Sequence, residues 1–149
     1  MSGLRELYQE VIIDHSKHPR NFGVLTRSNH RKEGFNPLCG DRLTLSLLEE
    51  NGIVEKIHFE GSGCAISVAS ASLMTEVLTG KTRAEVDAVF ADFHQLIMHG
   101  HDAVLEARLG KLAVLAGVAE YPARVKCATL AWHTLMAALA DDPKPVSTE

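Results

Sequence analysis

The chain is short of cysteine: three in 149 residues, an odd number and too few for a disulfide framework. None of the three belongs to a Cys-x-x-Cys pair, so the spacing spells neither a zinc finger nor a ribbon. Aromatic residues are only 5% of the chain, which leaves little to stack single-stranded nucleic acid. Lys and Arg number 15 against 19 Asp and Glu, and the resulting net charge of −4 excludes a general nucleic-acid binder. No apolar run approaches the ~20 residues of a membrane helix. The opening MSGLRELYQEVIIDHSKHPR lacks the charged-then-apolar layout of a secretory signal. These absences leave one globular domain over residues 1–149, cytoplasmic, with no membrane or nucleic-acid partner. At 46% hydrophobic and 23% charged, it can bury a proper core.

The patterns present predict an α+β fold, a small antiparallel β-sheet with helices packed on one face. Leu4, Leu7, Tyr8, Val11 and Ile12 share one helical stripe, so a first helix runs from about Gly3 to Lys17 and stops before His18-Pro19. Leu43, Leu45 and Leu47 alternate with Thr44 and Ser46 as a half-buried strand. Asn51-Gly52 marks a hairpin, and Ile53 to Phe59 returns. CAISVASASLMTEVL, from Cys64, is small, apolar and turn-free, a helix able to pack close to the sheet. Thr82-Arg83-Ala84-Glu85 is a capping box that opens the next helix, which HGHDA breaks near Gly100. A short apolar segment spans Leu109 to Gly117, and a last helix spans about Arg124 to Leu139. The tail over 141–149 is polar and expected to be flexible.

Each cysteine falls at an element boundary. In FNPLCGD, Cys39 stands among turn residues in a loop, an exposed kind of position, two residues before Asp41. Cys64 follows Gly61-Ser62-Gly63, whose glycines give the backbone freedom to deliver it, and opens a helix. Cys127 is expected in the first turn of the last helix, where the dipole favours a thiolate. Free cysteines are often buried as small hydrophobes. Pro37 and Gly40 argue against that for Cys39, while nothing does so for the other two. Three thiolates and the Asp41 carboxylate would make the four donors of a closed tetrahedral zinc site. Asp41 as a turn cap ahead of a strand is the competing account.

The phrases LYQEVIIDHSKHPRN, NPLCGD, GSGCAISVASASLMTE, GK and PARVKCATLAW, in this order, resemble the U-type iron–sulfur cluster assembly family over roughly residues 4–139. IscU, the N-terminal domain of NifU, and SufU belong to that family. IscU-type members carry a histidine directly before the third cysteine, where this chain has Lys126, and a Leu-Pro-Pro-Val-Lys motif just ahead, where it has Tyr121-Pro122-Ala123-Arg124-Val125-Lys126. Its interval between the second and third cysteines is also longer, with an insertion around 94–110. All three departures match the SufU branch. The resemblance implies a SufE/IscU-like fold and a zinc ion held by Cys39, Asp41, Cys64 and Cys127. It implies that Cys39 accepts persulfide sulfur from a SufS-type cysteine desulfurase, for downstream iron–sulfur assembly proteins. The chain would act as a sulfurtransferase, both co-substrate and activator of that desulfurase. The alternative is an IscU-like scaffold building a [2Fe–2S] cluster on the same cysteines; a purely structural zinc protein is a third reading.

Other residues are read as structural. His94 and His99 are five apart, off the i, i+4 spacing of a helical metal pair, and with His101 are expected as exposed loop residues. His15 and His18 would close the first helix as cations. His133 packs, and Ser67, Ser70 and Ser72, with no glycine-elbow pattern, serve close helix packing. Arg124 and Lys126 flank Cys127, as a solvated face or as partners of a thiolate.

Overall fold

A computed structural model of the chain describes residues 2–142, 144 and 146–148, with side chains from Tyr8 onward. Three strands make its centre: β1 (His30–Asn36), β2 (Asp41–Glu50) and β3 (Ile53–Ser62), an antiparallel meander. Leu43, Leu45 and Leu47 of β2 turn inward at 6%, 0% and 0% exposure, opposite the buried Ile57 and Phe59 of β3. The β2–β3 turn is Asn51-Gly52, with φ of 55° and 76°, both left-handed as this tight hairpin requires. β4 (Lys81–Thr82) pairs antiparallel with β3, and β5 (Val146–Ser147) pairs parallel with β1, giving the order β4-β3-β2-β1-β5. Thus part of the polar tail carries a strand; its Pro143, Pro145 and Glu149 lie outside the described residues.

The sequence pattern hides β1. Its inward positions are Lys32, Gly34 and Asn36, so HRKEGFN alternates in burial without alternating in hydrophobicity. Gly34 has a packing reason: an added Cβ would lie 2.1 Å from Thr134 Oγ1. That closeness seats α5 (Pro122–Leu139) against β1.

α2 (Ala65–Leu78) and α5 lie against each other and on the inner face of the sheet. The small residues of α2 permit the approach, and its buried serines bond across it. Ser70 Oγ donates to the Ala128 carbonyl at 2.6 Å and accepts from Trp132 Nε1 at 3.0 Å. Trp132 stacks on Phe93 of α3 (Arg83–His99), with ring centroids 4.3 Å apart. The Thr82–Glu85 capping box opens α3, with both reciprocal bonds formed. Gly100, at φ 88°, stops it. Asp102 then caps α4 (Ala103–Leu109), and 3₁₀ turns over Gly110–Glu120 bury Leu112 to Ala116 and Val118.

α1 (Ser2–Lys17) packs on α2. His15 is not a capping cation on its surface: it is 3% exposed, with Nδ1 2.7 Å from Ser72 Oγ. Burial, aided by the Arg20 and Lys111 charges, holds its pKa below the ordinary imidazole value against the pull of Glu76 and Asp14.

Candidate metal centre

The centre assembles at one end of the meander. Asn36 ends β1 and pairs with Asp41, which begins β2, so the intervening Pro37-Leu38-Cys39-Gly40 is a tight turn rather than a free loop. Gly40 takes φ 72° to close it. The buried Asn36 accepts the Leu38 N–H on Oδ1 at 3.1 Å and points Nδ2 at Cys127 Sγ, 3.9 Å away. Cys39 is half-buried, less open than its turn residues suggest; the exposed side chain beside it is Leu38, at 73%.

The glycines at the end of β3 and just past it are demanded by contact as well as freedom. A Cβ on Gly61 (φ 146°) would lie 2.1 Å from the Arg42 carbonyl oxygen. One on Gly63 would lie 2.6 Å from Asp41 Oδ1. With no side chain there, the Cys64 N–H reaches Asp41 Oδ1 at 2.8 Å. Cys64 is the N-cap of α2: its sulfur accepts from the Ser67 N–H at 3.5 Å and lies 4.0 Å from Asp41 Oδ2.

α5 brings the third thiol. The helix begins at Pro122, so Cys127 sits in its second turn, deeper than the sequence places it, and only 1% exposed. The start differs because proline is well suited to the first helical position. Cys127 Sγ lies 3.1 Å from Cys39 Sγ. Burial, then the neighbouring Cys39, Asp41 and Cys64, push its thiol far above the usual thiol range. This opposes the dipole-stabilised thiolate expected for a first-turn position.

Donor atoms of Cys39, Asp41 and Cys127 lie within 4.8 Å of one another, the one such group among the described residues. The structure therefore brings together three of the four sequence-predicted ligands, with Cys64 at their edge. This set suits zinc. Its donors are soft thiols and a carboxylate from separate elements, and the carboxylate is fully buried yet takes only one backbone N–H. A tetrahedron with ~2.3 Å zinc–sulfur bonds spaces sulfurs about 3.8 Å apart, a slight opening of the Cys39–Cys127 pair.

Arg124, exposed, extends beside the Cys64 and Cys127 thiols, which raise its already high pKa. Its spacing from Cys127 signals this: three residues apart on a helix share a face. Asn36 carried a weaker signal, as the residue before proline in NPLCGD. His94, His99 and His101 are exposed and outside the donor group, though the first two are on α3 rather than in a loop. His133 packs half-buried against Phe90, ring centroids 5.5 Å apart.

The chain matches the family described as NifU-like N terminal domain over residues 7–141. It is 42% identical over 144 residues to the zinc-dependent sulfurtransferase SufU of Bacillus subtilis (strain 168), covering 95% of each chain. It is 40% identical over 139 residues to the iron–sulfur cluster assembly scaffold protein IscU of Streptococcus pyogenes serotype M1, covering 93% of this chain and 86% of that one. Its fold superposes with a TM-score of 0.82 on a crystal structure from Fervidobacterium islandicum AW-1. That structure is described as a candidate iron–sulfur cluster assembly scaffold protein for the SUF system; identity is 36%, with 91% of this chain and 98% of that one covered.

Proposed function

We propose, from the premise that this chain belongs to the NifU-like N-terminal domain family of iron–sulfur cluster assembly, that it is a zinc-dependent sulfur acceptor. It takes persulfide sulfur from a cysteine desulfurase of the SufS type in the cytoplasm and passes it to downstream assembly proteins. The supporting observation is the convergence of Cys39, Asp41 and Cys127, with Cys64 bonded to Asp41 through its N–H and Cys39 on a turn beside the exposed Leu38. Cys39, Asp41, Cys64 and Cys127 would hold the zinc, which when bound keeps thiols deprotonated and adds no redox chemistry of its own.

Cys39 is the acceptor because its turn is held at two ends only, while Cys64 caps a helix and Cys127 is buried within one. Its thiolate attacks the outer sulfur of the partner's persulfide. A new S–S bond forms on Cys39 as the persulfide's own S–S bond breaks, the partner cysteine leaves as thiolate, and the transferred sulfur keeps its oxidation state. Delivery is the same exchange onto a recipient thiol. Arg124 places positive charge beside Cys64 and Cys127, the latter 3.1 Å from the Cys39 sulfur that takes the persulfide.

A second reading, a [2Fe–2S] scaffold on the same cysteines, draws support from their convergence and from the name of the Streptococcus relative. Lys126, in the position of the scaffold histidine, favours sulfur transfer. Metal and acid-labile sulfide measured in protein purified without added metal divide the two. Sulfur transfer expects about one zinc per chain, resistant to chelator, and no sulfide; iron with matching sulfide selects the scaffold. In a desulfurase assay, Cys39→Ala is expected to abolish sulfur acceptance, and a variant that accepts sulfur at the full rate ends this assignment.

A further inference from the structure

β5 touches both elements whose sulfurs meet in the centre. Gly34 and Phe35 of β1 pair with Val146 and Ser147. The next residue, Thr148, makes two bonds in two directions. Its N–H donates to the Phe35 carbonyl at 3.2 Å, and its hydroxyl donates to the Lys126 carbonyl at 3.2 Å. Phe35 directly precedes Asn36, the residue that ends β1 and anchors the Cys39 turn. Lys126 directly precedes Cys127. Thr148 thus ties the strand leading into one thiol to the helix carrying the other, and those two sulfurs are 3.1 Å apart. Upstream, Lys32 Nζ donates to the Asp142 carbonyl and fixes the start of the returning segment on the same strand.

We propose that the C-terminal strand is a brace that sets the separation of Cys39 and Cys127, with Thr148 as its positioning residue. The proposal rests on the reading of Cys39 as the reactive thiol. Thr148 touches neither sulfur, so it acts only through Phe35 and Lys126. The attachment is local: two paired residues and two bonds hold β5 at this end, whereas β2 pairs with β1 along its length. Loss of the brace should therefore leave the sheet intact and loosen the Cys39 turn. Cys64 lies on the far side of β2, delivered by β3, and its bonds run to Asp41 and Ser67 rather than to the described residues of β5.

The test uses three substitutions in the full chain. Thr148→Val removes the bond to α5 and keeps the one to β1; Thr148→Pro removes both; Thr148→Ser keeps both. Two rates are read: zinc loss to a coloured chelator from the metal-loaded protein, and alkylation of each cysteine, resolved by mass spectrometry, in reduced metal-free and metal-loaded protein. One hydrogen bond corresponds to roughly a two- to tenfold change in such a rate. Thr148→Val is expected to speed zinc loss and Cys39 alkylation by about that factor, and Thr148→Pro by more. Thr148→Ser should match the parent, and Cys64 alkylation in the metal-free protein should not change. Unchanged Cys39 rates in Thr148→Pro overturn the brace. So does equal acceleration at all three cysteines of the metal-free protein with a lowered Tm, which would make β5 a general stabiliser. A chain that proves to hold no zinc defeats the sulfur-transfer reading, while the metal-free alkylation rates still decide the brace.

Discussion

Two of the buried polar clusters among the described residues are built on opposite principles. The one between α1 and α2 closes on itself. The Arg20 N–H and His15 Nδ1 both meet Ser72 Oγ, at 2.8 and 2.7 Å. Asn21 Nδ2 donates to Thr75 Oγ1 at 3.0 Å, and Thr75 Oγ1 donates to the Ser72 carbonyl at 2.7 Å. Donors and acceptors match, nothing is left to recruit, and the cluster joins a helix and its following loop to α2. The cluster around Asp41 is rich in acceptors and latent anions instead: three thiols and a carboxylate, against two backbone N–H groups, the Asn36 amide and one exposed cation, Arg124. Among the described residues no buried side-chain nitrogen or oxygen lacks a partner, so the difference is in sign rather than satisfaction. Burying that many potential negative charges is costly unless a cation joins them. A closed polar network is architecture, whereas one short of positive charge is a site.

The sharpest test of this contrast is to remove the carboxylate. Asp41→Ala is expected to lower zinc affinity by roughly two to three orders of magnitude, one ligand's share of the ~10–16 kcal/mol that four ligands supply in structural sites. Competition with a chelator of known affinity measures it, and unchanged affinity removes Asp41 from the ligand set. A smaller effect is expected from Gly63→Ala. Its new methyl would meet Asp41 Oδ1 at 2.6 Å, displacing the carboxylate or the Cys64 backbone. Overpacking of this kind costs about 1–3 kcal/mol. If the site alone yields, zinc affinity falls while the urea midpoint of the metal-free protein stays near the parent's; if only the midpoint moves, the close contact is architectural.

The same contrast explains what could be read in advance. Leu43, Leu45 and Leu47, the Asn51-Gly52 turn and the Thr82–Glu85 box carry local signals, and each forms as its pattern predicts. β1 has no such signal, because its inward positions are justified by Thr134, Cys127 and Asp142, residues far along the chain. At the centre, Cys39, Asp41 and Cys64 mark boundaries that short-range grammar reveals. How deeply Cys127 lies, and that Asn36 joins it, depend on how α5 docks on β1. The largest misreading is His15, whose place at a helix end suggested a surface cation. Its burial is decided by Ser72 on another helix.

His15 also supplies the smallest expected effect, and it falls on the closed network alone. Burial and the Arg20 and Lys111 charges oppose its protonation, while Glu76 and Asp14 only partly offset them, so its folded pKa lies below the ordinary value. Between the two pKa values the unfolded chain binds more protons than the folded one, and stability there rises with pH. The contribution is complete above about pH 6.5 and is lost as pH falls below it toward the folded pKa. His133, depressed by its own burial and by His94, adds a slope of the same sign. Urea midpoints of the metal-loaded protein from pH 8 to pH 5 should therefore decline, and less steeply in His15→Gln, which retains the His133 share. At pH 8 the same variant should lose about 1 kcal/mol through the weakened bond to Ser72, with zinc retention unchanged. A His15→Gln protein with the parent's full slope would place the acid sensitivity at His133 and the metal centre, and the closed network would then be silent across this range.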